Sequence, residues 1–218
     1  MRVKVVADIL AVNDQQALAN RELFDRHGVF VVNLISSPGA GKTSLLERTV
    51  AGLREELRLA VIEGDIATTR DADRVNRAGA LAVQINTNGG CHLDSQMVAR
   101  VLPGFDLARL DLLFIENVGN LVCPAEFALG EHARAVILSV TEGDDKPLKY
   151  PAVFQRADVV LVNKIDLLPY TDCDLEKIHQ ECRTLNPRVA LFDLSCRTGE
   201  GLMAWHEWLR ARAGGPNG

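Results

Sequence analysis

Apolar residues in this chain gather into short unbroken runs separated by polar, glycine-containing segments. VFVVNLI, LDLLFIE, RAVILSV and DVVLVNK are rich in Val, Ile and Leu, and each gives way to polar residues. Runs of this kind are expected of strands buried on both faces of a sheet. Longer amphipathic stretches lie between several of them. The pattern predicts strand 29–35, helix 42–57, strands 59–63 and 81–86, helix 94–102, strands 111–116, 134–141 and 158–162, helix 174–185, strand 189–193 and helix 200–212. Alternation of this type predicts an α/β fold, a mostly parallel sheet with helices on both faces. Ligands of such sheets bind beyond the carboxyl ends of the strands, so the polar ends of the runs are where chemistry is expected.

Ahead of the first strand, residues 14–26 read as a helix with Ala17, Leu18, Leu23 and Phe24 on its apolar side, closed by Gly28. The expected division is a helical extension over residues 1–28 packed on the main domain, one nucleotide-binding domain over 29–212, and a disordered tail over 213–218. At 218 residues, one full-sized domain is the default. A net charge of −5 offers no electrostatic footprint for nucleic acid. No stretch reaches the roughly eighteen apolar residues of a membrane span, and the first residues lack a signal-peptide pattern. The expectation is therefore a cytoplasmic protein that binds neither nucleic acid nor membrane. The five cysteines are odd in number and scattered, which suits free thiols or metal ligands better than a disulfide framework.

The first chemical signal follows the first strand, where SSPGAGKTS ends in Gly41-Lys42-Thr43-Ser44. Small residues at Gly39, Ala40 and Gly41 let backbone N–H groups curl around an anion, and a helix begins with its positive end facing it. In a P-loop, Lys42 reaches the outer phosphates and the Thr43 hydroxyl ligates Mg²⁺. The pattern G-x-x-x-x-G-K-[ST] departs at its first glycine, where Ser36 stands. The order of strand, turn, GK[ST] and helix favours a P-loop NTPase over an ordinary tight turn.

Base identity comes from Asn163-Lys164-Ile165-Asp166 after the run DVVLV. Guanine presents two donors on one edge, its ring N1–H and its 2-amino group, and a carboxylate at Asp166 can accept both. Asn163 would brace the loop, and the aliphatic stem of Lys164 would cover the base. Ser195-Cys196-Arg197, after VALFD, occupies the place of a loop that closes over guanine. GTP and GDP are thus the expected nucleotides.

Two further strand ends carry acids. Glu116 with Gly119 forms an acidic-x-x-Gly arrangement suited to holding Mg²⁺ and offering an N–H to the γ-phosphate. Glu63-Gly64-Asp65 supplies a second acid, and alternation from an inward Ile62 favours Asp65 as the Mg²⁺ or water-orienting group, although a solvated loop acid explains it as well. No Gln follows Gly119, so slow intrinsic turnover is expected.

A different chemistry is offered by Cys91-His92, after the turn Asn88-Gly89-Gly90, and by Cys123, seven residues beyond Glu116. All three follow carboxyl ends of strands and could converge. Two thiolates and an imidazole suit Ni²⁺ or Zn²⁺ and leave one position open. Residue types and spacing alone favour a buried cysteine and a capping histidine, since no C-x-x-C or H-x-x-x-H signature is present. Cys173, Cys182, His179 and His206 have no convergent partners and read as structural.

Taken together, SSPGAGKTSLLE, EGDIATTRDADR, NTNGGCHLD, FIENVGNLVCP, TEGDDKPLKYP and NKIDL resemble the HypB family, GTPases that assist nickel insertion into [NiFe]-hydrogenase. The similarity spans roughly residues 10–210. It implies a metal site at Cys91, His92 and Cys123, a P-loop at Lys42 and Thr43, and a guanine site at Asn163 and Asp166. It further implies a GTP-dependent homodimer of the signal-recognition and Min-type (SIMIBI) branch, with a HypA-like nickel protein and the hydrogenase large subunit as partners. Two departures matter. No Cys or His precedes His27, so high-affinity nickel storage is not expected of this sequence, and Ser37 stands near the place of the extra lysine of Min-type P-loops. Lys146 is then a candidate for a contact across the dimer. A urease-type nickel accessory GTPase is the nearest alternative, but it resembles a Cys-Pro-His motif, and here Cys123-Pro124 is followed by Ala125. A passive metal-binding module with little turnover is the other.

Overall fold

Seven parallel strands form one sheet in the order β3-β2-β4-β1-β5-β6-β7. They are β1 (Phe30–Ser36), β2 (Leu59–Asp65), β3 (Leu81–Asn86), β4 (Leu112–Glu116), β5 (Ala133–Ser139), β6 (Val159–Asn163) and β7 (Ala190–Asp193). The computed structural model describes residues 2–65 and 70–213, with side chains from Ile9 to Asp65 and from Asp71 to Ala213. The apolar runs of the sequence are the central strands, and β4 and β6 are buried along their whole length.

Helices cover both faces because successive strand residues point to opposite sides. Val32 and Leu34 of β1 enter a core with α2 (Lys42–Leu53), α3 (Arg70–Ala78) and α8 (Leu202–Ala213). Val31 belongs instead to the core under α1 (Arg2–His27) and α4 (Ser95–Val101), and Ile35 to the core under α6 (Pro151–Gln155) and α7 (Leu175–Leu185). Among the described residues, no helix is long and apolar enough to cross a membrane.

The departures from expectation have physical causes. α1 starts at Arg2 rather than at residue 14, since nothing between the two positions is a Gly or Pro that would break a helix. Its packed face also differs. Ala17 and Phe24 are buried, but Leu18 is 67% exposed, and Asn13 and Asn20 are buried in its place. Asn13 accepts the Ser95 N–H at 2.9 Å and donates to the Ala128 carbonyl at 2.9 Å, while Asn20 donates to the Ser95 and Leu129 carbonyls at 2.9 and 3.0 Å. The extension is thus fastened to the domain by carboxamides as well as by apolar contact.

α2 ends at Leu53 instead of 57 because the chain must turn into β2, a turn held where Arg58 pairs with Asp111 at the start of β4. α3 was not expected, since among its described side chains, those of Asp71 to Ala78, only Ala72 and Val75 are buried. Neither were α5 (Lys146–Lys149) and α6, each carrying a proline in its first turn, where the missing N–H costs nothing. β5 stops at Ser139, and Val140–Glu142 form a 3-10 turn in which the Ser139 hydroxyl accepts the Thr141 N–H. Ala213, expected in the tail, is a buried residue of α8; residues 214–218 lie outside the described residues.

Candidate nucleotide and metal sites

The loop after β1 wraps a cleft of about 580 Å³ lined by Gly41, Lys42, Thr43, Glu63, Glu116 and Gly119, among others. Gly39 and Gly41 have φ of 78° and 108°, the left-handed region that glycine alone adopts freely. Gly41 caps α2, so the first N–H groups of that helix open toward the cleft. The Lys42 ammonium donates to the Ser36 hydroxyl at 2.9 Å, and that hydroxyl donates to the Ser37 carbonyl at 2.6 Å. The serine that departs from the usual glycine therefore anchors the P-loop lysine. Burial lowers the Lys42 pKa, opposed chiefly by the charge of Glu116.

Across the cleft, Glu63 and Glu116 stand side by side in the β2–β4 register. Burial pushes the Glu116 carboxyl up to about 7 although Lys42 opposes it, and burial together with the Glu116 charge pushes Glu63 up to about 8. The Thr43 hydroxyl donates to Glu116 Oε1 at 3.1 Å, while Glu116 Oε2 and Glu63 Oε1 are buried without a hydrogen-bond partner. Two orphaned carboxylate oxygens beside a threonine hydroxyl fit a hard divalent cation, which takes oxygen ligands and relieves the repulsion. Asp65 lines the same cleft, so both acids of the Glu63-Gly64-Asp65 segment reach it, with Glu63 the deeper and directly opposite Glu116. Asp71 and Arg74 of α3 complete the wall. Arg74 donates to Glu47 at 2.6 Å and to the Ser44 hydroxyl at 3.2 Å. These two escaped the sequence reading because the polar helix that carries them did.

A smaller cavity of about 280 Å³ adjoins the cleft and is bounded by Gly41, Ser44, Asn163, Lys164, Asp166 and Arg197, among others. Asn163 is buried and acts as a bolt: its amide donates to the Ala40 carbonyl at 2.9 Å, and its oxygen accepts the Lys164 and Cys196 N–H groups at 2.7 and 3.1 Å. A Cβ on Gly41 would overlap that carboxamide, a second reason for glycine there. The Lys164 ammonium reaches the Gly39 carbonyl at 2.7 Å, and the Ser195 hydroxyl donates to Asp166 at 2.5 Å. Cys196 is buried, its thiol pushed up to about 11 by burial, so it contributes backbone and shape rather than a reactive thiolate. Arg48 of α2 holds the Cys196 and Arg197 carbonyls at 2.7 and 3.1 Å.

Past the ends of β3 and β4, the Cys91 and Cys123 sulfurs lie 3.0 Å apart, with His92 Nδ1 3.5 Å from Cys91 Sγ. The three ligand atoms fall within 4.8 Å of one another, the one such His/Cys/Asp/Glu group among the described residues. His92 packs on the Phe127 ring at a centroid distance of 4.0 Å, and burial lowers its pKa, which keeps the imidazole neutral as a ligand must be. The neighbouring Cys123 thiol raises the Cys91 pKa by hydrogen bonding, as expected of two thiols that cannot readily ionise together. Cys91 is exposed, so the cluster opens to solvent. Cys173, Cys182, His179 and His206 stay apart from it. His179 pairs with Asp193 at 2.8 Å. Lys146 begins α5 with its ammonium 5.7 Å from the centre of the Tyr150 ring.

Comparison with known proteins identifies the family. Residues 30–193 match the CobW/HypB/UreG nucleotide-binding domain. Hydrogenase maturation factor HypB of Rhizobium leguminosarum bv. viciae is 50% identical over 97% of this chain and 71% of its own length. Among solved structures, HypB from Archaeoglobus fulgidus superposes with a TM-score of 0.88 at 39% identity, covering 93% of this chain and 99% of that one. HypB from Helicobacter pylori in complex with nickel superposes with a TM-score of 0.86 at 37% identity, covering 92% and 94%. With a P-loop fold, near-complete coverage and up to half of its residues shared with such relatives, the chain belongs to the HypB family of hydrogenase maturation factors.

Proposed function

We propose that this protein is a GTP-hydrolysing nickel metallochaperone that assists nickel insertion into [NiFe]-hydrogenase, with nucleotide state linked to metal binding and to dimerisation. The observation that carries this reading is the placement of the Cys91-His92-Cys123 cluster one short loop away from Glu116, whose carboxylate lines the phosphate cleft.

In this reading Asn163, Lys164 and Asp166, with the Ser195-Cys196-Arg197 loop, select guanine. Gly39 to Ser44 and Gly119 surround the phosphates. On GTP binding, Lys42 leaves Ser36 for the β- and γ-phosphate oxygens, where its charge offsets that developing in the transition state. Thr43, Glu116 and Asp65 would hold Mg²⁺, with Glu63 positioned to share the task. When bound, the ion would supply charge neutralisation to the phosphates, and the Glu63 and Glu116 carboxyls would face it in their ionised form. Asp65 is the group best placed along the chain to orient the attacking water. No glutamine follows Gly119, consistent with slow turnover.

Nickel is cargo. Cys91, His92 and Cys123 provide soft-to-borderline ligands that Zn²⁺ would also satisfy. Three ligands on an exposed surface leave a coordination position for water, for a second copy of the chain, or for a HypA-like partner that exchanges metal before delivery to the hydrogenase large subunit. The protein acts in the cytoplasm and needs neither membrane nor nucleic acid.

Two measurements test the proposal. Lys42→Ala should lower GTP hydrolysis by at least about 100-fold, in line with the loss of a group that contacts transition-state charge, and equal rates would remove the enzymatic reading. Ni²⁺ titrated against the GDP-bound protein and against the protein bound to a non-hydrolysable GTP analogue should give different affinities. Identical affinities would sink the linkage.

A further inference from the structure

Cys91 and Cys123 reach the metal cluster from different loops, one after β3 and one after β4. Their separation therefore depends on how those loops sit relative to each other, and a soft-metal site is sensitive to that spacing. The covalent path from Glu116 to Cys123 moves only one of the two cysteines. Something must fix the other.

Asn117 meets this requirement. It follows Glu116 directly, is fully buried, and uses its side chain in three hydrogen bonds. Its oxygen accepts the Leu93 N–H and its own neighbour's N–H, Val118, both at 3.0 Å; its amide donates to Asn33 of β1 at 3.3 Å. Its backbone N–H continues the sheet to the Leu34 carbonyl at 3.0 Å. One carboxamide thus joins the end of β4, the strand leading into the P-loop, and the loop that carries Cys91 and His92.

Leu93 makes the connection mechanical. It is fully buried, and its side chain fills the space over Gly64, so close that a Cβ there would lie 2.7 Å from Leu93 Cγ. Gly64 separates Glu63 from Asp65, the two acids facing the cleft. On the other flank, Gly119 packs against the P-loop, where an added Cβ would come within 3.0 Å of Pro38 Cα. A shift at either acid or at the γ-phosphate position of Gly119 therefore presses on residues bonded to Asn117. A second bridge between the loops, the Asn120 amide to the Cys91 carbonyl at 3.3 Å, is exposed, and water can replace it at small cost.

We propose that Asn117 is the positioning residue through which nucleotide state sets the spacing of the Cys91 and Cys123 loops. The idea rests on the nucleotide–metal linkage proposed above and names the element that transmits it. By reciprocity, metal drawn between the two loops acts back on the cleft through the same carboxamide.

The test is the ratio of Ni²⁺ affinities in the GDP form and in the GTP-analogue form, with folding checked by thermal unfolding. Wild type should show a ratio of at least about 5, the lower end of typical linkage. Asn117→Ala should bring the ratio to within about twofold of unity while each nucleotide still binds. Should wild type give a ratio of one, the linkage itself fails, and this inference with it. Should wild type show the ratio and Asn117→Ala keep it, the linkage stands and the role of Asn117 falls. If the alanine variant does not fold, hydrogen exchange on the wild type decides: protection of residues 87–93 should differ between the GDP and GTP-analogue forms together with that of 117–123. A change confined to 117–123 overturns the proposal.

Discussion

The Asn163 carboxamide donates to the Ala40 carbonyl at 2.9 Å, bolting the loop proposed to select the base to the loop proposed to grip the phosphates. The same side chain accepts the Cys196 N–H at 3.1 Å, so three loops from distant parts of the chain meet on one buried residue. Its replacement should cost more than one hydrogen bond. Asn163→Ala should destabilise the nucleotide-free protein by about 1–3 kcal/mol, the usual cost of leaving buried partners unsatisfied. It should also weaken GDP binding. Urea unfolding with and without GDP measures both, and an unchanged midpoint would show that the bolt carries no load.

Asp166 should decide base choice. Asp166→Asn removes an acceptor for the two guanine donors and should weaken GDP by about 10–100-fold, the equivalent of roughly 1.5–3 kcal/mol for hydrogen bonds to a charged group. Xanthine carries an oxygen where guanine carries the 2-amino group, and the new amide can donate to it. Xanthosine nucleotides should therefore gain on guanosine nucleotides in competition binding. A variant whose preference does not move would place the base elsewhere.

Removal of either cysteine should abolish metal binding without disturbing the fold. Losing a group that merely orients a metal ligand commonly costs ~10–100-fold in affinity, so Cys91→Ser or Cys123→Ser, each removing a ligand itself, should exceed about 100-fold. The cluster sits at the surface with Cys91 exposed, so the thermal midpoint of the metal-free variants should stay near wild type. Retained affinity in either variant would separate the metal from this cluster.

Histidine at the seam between α1 and the sheet predicts a pH effect. His132 Nδ1 accepts the Val31 N–H at 3.0 Å, which requires that nitrogen to be unprotonated, and Nε2 faces Asp25 at 2.7 Å. Burial lowers the His132 pKa, with the Arg21 charge adding to the effect and Asp25 and Glu131 opposing it. Below the ordinary value of 6.5 the unfolded chain then binds the proton more readily than the folded one, so stability is present above that pH and is lost as pH falls through it. Urea midpoints between about pH 5 and 8 should fall toward acid in wild type, by at most about 1.4 kcal/mol per pH unit from this one group. His132→Gln should flatten the acid side of that profile; parallel profiles would exclude the histidine as the source.

Some of this was legible along the chain because the signals are local. An unbroken run such as DVVLV must be buried on both faces, and GKTS and NKID hold their chemistry within a few consecutive residues. Where the signal was not local, reading failed. α3 has two buried residues among the eight whose side chains are described, too few for a periodicity, and it hid Asp71 and Arg74. Leu18 looked like core, but the helix face is set by Asn13 and Asn20, whose partners lie 75 to 115 residues away. The spacing of Cys91 and Cys123 permitted their convergence without requiring it, since separate loops must bring them together.

By itself, the sequence determined the parallel α/β architecture and pointed to the candidate phosphate loop, guanine loop and metal ligands, because hydrophobic periodicity and short motifs act over the reach of a single element. Tertiary structure alone decided that Ser36 holds Lys42, that Glu63 stands opposite Glu116 and has its pKa raised there, and that Asn117 ties the nucleotide cleft to the cysteine loops. Those relationships are set by strand register and by the packing of one loop on another. Residues brought together in this way leave no mark of their distance in the order of the chain.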